Sequence, residues 1–233
     1  MARLGPNRRM SDSPASPLGD TPAQPPVLLI HGIWNARLWL LPLARKLRAA
    51  GLDARIWGYR SVFDDPAHAA RALADQLRSG PRVDLLGYSL GGLVALEALR
   101  AEPELPVRRV VCLGSPLCGS CTARSLGAHR WASPLLGRSA RLLQSGLGDW
   151  SRPVEVGVVA GCVPRGLGRL LSVVDPESDG TVAIAETRIP GLRDHCIVQA
   201  SHSGLLLSPQ AARQAACFLR SGRFEHGDDA PNV

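Results

Sequence analysis

Residues 87–92 of the 233-residue chain are Gly-Tyr-Ser-Leu-Gly-Gly, and this stretch decides the fold prediction. A predicted strand at 83–86, Val-Asp-Leu-Leu, precedes it, and apolar residues at helical spacing follow it over 90–101. The pattern Gly-x-Ser-x-Gly between a strand and a helix is typical of a sharp turn that lifts a serine hydroxyl clear of a sheet. The glycines two positions before and after the serine leave the room that such a turn needs, so Ser89 is the candidate nucleophile.

The rest of the chain alternates short apolar runs with helical patterns. Strands are predicted at 26–31, 54–59, 83–86, 107–113, 154–160, 182–185 and 196–200, and helices at 36–50, 66–77, 90–101 and 208–219. Continuous apolar runs suit strands that are buried on both faces, and their alternation with helices predicts βαβ units. We therefore expect an α/β fold, with a minimal, mostly parallel sheet of about six or seven strands and helices on both faces.

Three regions fall outside this alternation and set the expected domain limits. Residues 1–25 contain Pro, Ser and Gly without a period, which predicts a disordered N-terminal lead-in. Residues 26–222 form the single predicted domain, and 223–233 form a polar tail. Residues 117–150 combine Ser, Gly and Arg with scattered apolar positions between two predicted strands, which indicates either a cap over a site or a plain surface insertion.

The composition narrows the classes of partner. The formal net charge is +7, and Lys46 is the sole lysine, so the positive charge is almost all arginine. Basic clusters interleaved with aromatic residues are missing from the sequence, so we expect no nucleic-acid partner. The positive charge leaves open a weak contact of the protein with an anionic membrane surface.

The sequence also bears on compartment and on metal binding. No stretch approaches the roughly 18 consecutive apolar residues of a membrane span, and no apolar segment follows Arg8-Arg9 as a secretion signal requires. We therefore expect a cytoplasmic protein whose six cysteines are not a disulfide framework. Cys118-Gly-Ser-Cys121 lacks the second Cys/His pair of a zinc site, so no metal is expected.

A second motif, His31-Gly32-Ile33-Trp34, ends the first predicted strand. An oxyanion hole takes one N–H from the residue after the nucleophile and another from a loop beyond an earlier strand. The N-terminus of a helix also directs N–H groups to the place where negative charge develops. We predict Leu90 and Ile33 as the two donors. Four further residues are expected to shape the site rather than to transfer protons: His31, Gly32, Gly87 and Gly91.

A serine nucleophile needs a histidine base, which in this kind of fold comes late in the chain. The downstream histidines are His129, His195, His202 and His226. In open α/β sheets, ligands bind at the carboxyl ends of the strands, and His202 follows the strand predicted at 196–200. His195 enters that strand from the other end, so His202 is the predicted base.

The carboxylate that orients the base must lie between the serine and the histidine. Asp175, Glu177 and Asp179 crowd one loop there. Asp179 precedes Gly180, whose lack of a side chain allows a tight turn, whereas Asp175 precedes Pro176, where an aspartate commonly starts a turn. We predict Asp179 as the acid, with Asp175 as the alternative.

Five stretches together resemble the α/β-hydrolase superfamily, and most closely small bacterial lipases and esterases and the lipase-like domain of GPI inositol-deacylases. The stretches are His31-Gly32, the serine turn at 87–92, Gly114-Ser115-Pro116 with Gly119-Ser120, Asp179-Gly180-Thr181-Val182, and Ser201-His202-Ser203-Gly204. The resemblance covers roughly residues 26–220 in order, and it departs at Leu117, where many lipases have histidine.

This resemblance implies the α/β-hydrolase fold and a serine hydrolase that cleaves small-molecule or lipid carboxylic esters through an acyl-enzyme on Ser89. It implies no cofactor. An acyltransferase or thioesterase would use the same three side chains, and a non-catalytic lipid-binding homologue would keep the fold without the reaction. These alternatives stay open at the level of the sequence.

Overall fold

The computed structural model describes residues 24–33, 37–59, 61, 65–128, 137–165 and 177–226. The strands of this part of the chain are β1 (Val27–Ile30), β2 (Ala54–Trp57), β3 (Val83–Tyr88), β4 (Val107–Leu113), β5 (Glu155–Gly161) and β6 (Asp194–Val198). They form one sheet in the order β2-β1-β3-β4-β5-β6, and every neighbouring pair is parallel. This confirms the predicted α/β fold with its parallel sheet.

Helices cover both faces of the sheet, as predicted. They are α1 (Leu41–Ala49), α2 (Pro66–Arg78), α3 (Leu90–Ala101), α4 (Cys121–Ala128), α5 (Ala140–Ser145) and α6 (Pro209–Ser221). Short 3₁₀ turns lie at Arg37–Leu40, Gly137–Ser139, Ala185–Thr187 and Ser203–Leu206. Helices α1 and α6 pack on one face, and α2 and α3 pack on the other. Within the described residues, no helix combines the length and the apolar character that crossing a bilayer requires.

The core explains why β3 is apolar at almost every position. All six of its residues are buried, because a central parallel strand is covered on both faces. Successive side chains point to opposite faces: Leu85 packs with α2 and α3, and Leu86 packs with α1 and α6. The central strand thus holds its carboxyl end, where the serine turn begins, between two packed layers.

One predicted strand is wrong. Residues 182–185 form a turn that joins the 3₁₀ turn at Ala185–Thr187, with a single antiparallel bridge between Ser178 and Ala183. Nearby groups, rather than a neighbouring strand, accept the N–H groups here: the Asp179 carboxylate accepts from Val182, and the Glu186 carboxylate accepts from Ala183. The main-chain carbonyl of Glu177 accepts from Ile184. A segment whose donors are satisfied locally has no need to pair in the sheet.

Other differences from the predicted elements concern their limits. Strand β6 begins two residues earlier than predicted, at Asp194, and the predicted helix at 36–50 divides into a 3₁₀ turn followed by α1. Strand β3 extends through Gly87 and Tyr88. Asp175 and His129, like most of the expected N-terminal lead-in, lie outside the described residues.

Candidate active site

Ser89 occupies a sharp turn between the end of β3 and the start of α3. Its φ is 53° and its ψ is −121°, and among the described residues no other side-chain-bearing residue has a positive φ. Such a conformation costs on the order of 1–3 kcal/mol and persists only where the surroundings enforce it. Here the Ser89 N–H donates to Leu113 O at 2.9 Å, and the Gly92 N–H donates to Ser89 O at 3.1 Å. These bonds hold the hydroxyl at the carboxyl edge of the sheet.

The predicted site-shaping glycines allow this close packing of backbone. A Cβ added at Gly87 would collide with the backbone of Gly92, and one added at Gly91 would collide with the carbonyl oxygen of Ile30. At Gly32 it would lie 2.9 Å from the Ser89 Cβ. A side chain at any of these positions would therefore displace the serine or its neighbouring loop.

The structure brings Ser89, His202 and Asp179 into one chain of hydrogen bonds. The His202 Nε2 lies 3.1 Å from Ser89 Oγ, and its Nδ1 lies 2.6 Å from Asp179 Oδ2. Because the Asp179 carboxylate can only accept, the Nδ1 carries the hydrogen and Nε2 is free to accept the serine proton. This is the geometry that a nucleophile, a base and an orienting acid require.

The loop around Asp179 fixes its carboxylate. Oδ1 accepts the N–H groups of Thr181 at 2.9 Å and Val182 at 2.8 Å, which leaves Oδ2 for the imidazole. The Asp179 carbonyl accepts the His202 N–H at 2.9 Å. Gly180 has a φ of 90°, which confirms the tight turn expected after the aspartate. The carboxylate is 1% exposed, so it meets the imidazole with little competition from water.

The two predicted oxyanion donors flank the serine. Leu90 is the first residue of α3 and directly follows Ser89. Ile33 follows Gly32, which packs against Ser89, and Ile33 and Ser89 line the same cavity. Their role as donors remains a prediction.

His31 is buried, and both of its ring nitrogens make hydrogen bonds to the main chain. The Nδ1 donates to Gly32 O at 3.0 Å, and Nε2 accepts a long hydrogen bond from the Tyr59 N–H at 3.4 Å. Burial is the main cause that lowers the pKa of His31, and the charge of Arg37 lowers it further. The role of His31 in shaping this loop remains a prediction.

A cavity of about 250 Å³ opens beside the serine. It is lined by Ile33, Trp39, Tyr88, Ser89, Pro116, Ser120, Thr122, Ala123, Leu126, Leu143, Thr181, Val182, His202, Ser203 and Leu206. The lining is mostly apolar, and the described part of it contains no carboxylate, lysine or arginine. Within the described residues, no cluster of three or more His, Cys, Asp or Glu side chains could hold a metal ion.

Residues 117–150 contribute part of the wall of this cavity. Leu126 of α4 and Leu143 of α5 line it, whereas Leu117 and Trp150 are buried in the core without lining it. Residues 129–136 of this segment lie outside the described residues.

The other histidine of the last strand lies away from the serine. His195 is near the amino end of β6, and its Nε2 contacts Thr187 Oγ1 at 2.8 Å. The neighbouring Asp194 accepts from the Phe224 N–H at 2.7 Å and contacts His226 Nε2 at 2.9 Å. Asp194 and His195 therefore belong to the opposite edge of the sheet, as their position in the sequence indicated.

The sequence did not indicate Glu186, and it indicated Gly114 only as part of the stretch Gly114-Ser115-Pro116, without a role beside the acid. The buried Glu186 carboxylate accepts the N–H groups of Ala183, at 2.9 Å, and of Cys121, so it ties the acid loop to the start of α4. No motif in the sequence marks it. At Gly114, with a φ of 60°, an added Cβ would lie 3.3 Å from His202 Nδ1. A glycine directly after a predicted strand is the signal that could have indicated this close approach.

Comparisons with known proteins agree with this architecture. The model of the alpha/beta hydrolase family matches residues 27–226. A mature Bacillus licheniformis lipase, BlEst2, superposes with a TM-score of 0.69 at 22% identity, over 85% of this chain and 92% of the lipase. A carboxyl esterase of metagenomic origin gives a TM-score of 0.64 at 19% identity, over 91% of this chain and 81% of the esterase. Pyrethroid hydrolase PytH gives a TM-score of 0.61 at 15% identity, over 86% of this chain and 99% of the hydrolase.

The sequence search against curated proteins gave no match. The family model nevertheless covers most of the chain, so the chain belongs to the alpha/beta hydrolase family.

Proposed function

We propose that this member of the alpha/beta hydrolase family is a serine hydrolase that cleaves carboxylic esters through an acyl-enzyme on Ser89. The observation that carries the proposal is the hydrogen-bonded chain from Asp179 through His202 to Ser89, set beside an apolar cavity. The described part of the pocket lining contains no carboxylate, lysine or arginine, which favours an uncharged acyl group.

The proposed reaction follows from this geometry. His202 Nε2 takes the proton of Ser89 as Oγ attacks the ester carbonyl, and Asp179 stabilises the imidazolium that forms. The N–H groups of Ile33 and Leu90 hold the negative oxygen of the tetrahedral intermediate. His202 then returns the proton to the departing alcohol. Water attacks the acyl-enzyme by the same route, which releases the carboxylic acid and restores the serine.

A panel of p-nitrophenyl esters from two to twelve carbons tests the proposal. We expect turnover by the wild type, and a decrease in kcat of roughly 10⁴- to 10⁶-fold in Ser89→Ala, because nucleophile and base act as a unit. Ser221→Ala removes a surface hydroxyl at the end of α6 and is the matched control. Near-normal turnover by Ser89→Ala, or no turnover by the folded wild type on any ester, would overturn the proposal.

The same assay with an added alcohol or thiol tests the main alternative. If acyl transfer to the acceptor outpaces hydrolysis, the chain is an acyltransferase that uses the same acyl-enzyme. A hydrolase gives the free acid as the main product when the acceptor is far more dilute than water.

We also propose weak contact with anionic membrane surfaces. Three apolar side chains near the cavity are exposed: Leu38 by 72%, Trp39 by 58% and Leu207 by 60%. Trp39 itself lines the cavity, as does Leu206, which precedes Leu207. Exposed apolar groups at the mouth of a pocket, together with the +7 net charge, suit an anionic lipid interface.

Flotation with phosphatidylserine-containing vesicles tests this contact. Leu38→Ser with Leu207→Ser should reduce the bound fraction, and Ser89→Ala should leave it unchanged because binding needs no chemistry. Failure of the wild type to float, or equal flotation of the double variant, would contradict the proposed surface.

A further inference from the structure

Both tyrosines of the chain make the same kind of contact with a histidine of the site. The Tyr59 hydroxyl donates to the main-chain carbonyl of His31 at 3.1 Å, and the two rings stack with centroids 4.7 Å apart. The Tyr88 hydroxyl donates to the main-chain carbonyl of His202 at 3.1 Å, and the rings lie tilted with centroids 5.1 Å apart. Each tyrosine thus holds one histidine by its backbone and by its ring.

Tyr88 links the base to the nucleophile through the protein framework. It is the last residue of β3 and directly precedes Ser89. The other groups of His202 are already held by the site: its N–H donates to Asp179 O at 2.9 Å, and its ring contacts Asp179 and Ser89. The Tyr88 hydroxyl binds the remaining polar group of His202, its main-chain carbonyl. The backbone of the base is thereby fixed relative to the strand that carries the serine.

Tyr59 acts at the other side of the serine. It lies two residues beyond β2, and its N–H also reaches His31 Nε2. His31 is followed by Gly32, which packs against Ser89, and then by Ile33, the proposed oxyanion donor. A hydroxyl that fixes the His31 carbonyl therefore fixes the loop that presents the Ile33 N–H.

Both phenols keep their hydrogen under assay conditions. Burial raises the pKa of Tyr59, and burial together with the nearby Asp179 charge raises the pKa of Tyr88. Each hydroxyl is therefore a permanent donor to its carbonyl across the neutral pH range.

From these contacts we infer that Tyr88 is a positioning residue for the base and Tyr59 a positioning residue for the oxyanion loop. The inference rests on the proposed function and extends it. Neither tyrosine exchanges protons with the substrate; each acts through the histidine that it holds.

The first test removes one hydroxyl at a time. Tyr88→Phe and Tyr59→Phe keep the rings, and each should lower kcat about fivefold, the rate equivalent of one ordinary hydrogen bond, with little change in KM. Trp150→Phe is the matched control, because Trp150 Nε1 donates to Val154 O at 2.9 Å near the amino end of β5. It should lower thermal stability and leave kcat unchanged.

The second test separates the two roles by double-mutant cycles. In a His202→Ala background the base is gone, so Tyr88→Phe should have no further effect on the residual turnover. Tyr59→Phe should still lower that turnover about fivefold, because an oxyanion hole works without the base. All variants are assayed well below their own melting temperatures, so that a loss of stability is not read as a loss of rate.

Each outcome decides the inference. Equal effects of Tyr88→Phe in the wild-type and His202→Ala backgrounds would overturn its role through the base. Wild-type kcat in either phenylalanine variant would overturn the role of that tyrosine. Equal turnover by wild type and Ser89→Ala, measured alongside, would instead overturn the proposed function, and this inference with it.

Discussion

At Ser89 the backbone holds a conformation that residues with side chains rarely adopt. The turn is possible because Gly32, Gly87 and Gly91 leave room for backbone against backbone. Gly87 and Gly91 belong to the six residues of the turn, so the Gly-x-Ser-x-Gly pattern predicted them, whereas Gly32 comes from the separate His31-Gly32 motif. The contacts of Tyr88 are not local: its hydroxyl reaches His202, 114 residues away along the chain. A single sequence holds no pattern that predicts such a pair.

Asp179→Asn tests the acid at the scale of one atom. An asparagine that keeps its oxygen toward the Thr181 and Val182 N–H groups turns an amide nitrogen toward His202 Nδ1. That nitrogen favours the wrong imidazole tautomer, so we expect kcat to decrease on the order of 10⁴-fold. Steady-state ester kinetics measure the effect.

Two other aspartate variants complete this test. Asp194→Asn is the control, because Asp194 also contacts a histidine, His226, but lies at the opposite edge of the sheet. It should keep its turnover. If Asp175→Asn lowered kcat on the order of 10⁴-fold and Asp179→Asn changed it little, Asp175 would be the acid.

At the scale of elements, α4 and α5 form a wall of the cavity through Leu126 and Leu143. The sequence left open whether residues 117–150 cap a site or only extend the surface. Scattered apolar residues predict burial, but they do not show whether the buried face meets a pocket or the core. Leu126 and Trp150 illustrate this: both pack into the same core cluster, but only Leu126 also lines the cavity.

Leu126→Ala tests this wall. Each buried CH₂ contributes about 0.8 kcal/mol, so loss of wall contacts should lower kcat/KM for an eight-carbon ester far more than for a two-carbon ester. Leu77→Ala is the control, because Leu77 is a buried leucine of α2. It should affect both esters equally. Equal losses in Leu126→Ala would mean that this wall does not contact the acyl chain.

Strand β6 carries a half-buried histidine, His195, whose protonation predicts a pH-dependent stability. Burial, with a further contribution from Arg188, lowers the pKa of His195 to about 4, although Asp194 opposes the shift. Its Nδ1 is buried and has no hydrogen-bond partner among the described residues, so a proton added there would lack an acceptor from them. Between pH 6.5 and about 4 the unfolded chain binds this proton more readily than the folded chain, so the free energy of unfolding should decrease as the pH falls.

The comparison of wild type with His195→Gln measures this contribution. Each pH unit in this window changes the free energy of unfolding by up to about 1.4 kcal/mol. Urea unfolding at each pH should therefore show that, from pH 7 to pH 5, the wild type loses roughly 2 kcal/mol more of its free energy of unfolding than the variant does. Between pH 7 and pH 8 the two proteins should change in parallel. Parallel behaviour down to pH 5 as well would contradict the account of His195.

At the scale of the molecule, a parallel sheet collects the site from distant parts of the chain. Ser89 and His202 are 113 residues apart, yet both follow the carboxyl ends of their strands. This rule let the sequence predict His202 rather than His195. It did not predict the turn at 182–185, because the pattern of apolar residues there resembles a strand while the carboxylates of Asp179 and Glu186 take two of its N–H groups.

Covalent labelling is the sharpest test of whether Ser89 is a nucleophile activated by His202. The folded protein is treated with a fluorophosphonate probe, and the adduct is located by peptide mass spectrometry. We expect one adduct, on Ser89, with labelling that is far slower in His202→Ala and missing in Ser89→Ala. An adduct on another residue, or none on the folded wild type, would contradict this expectation.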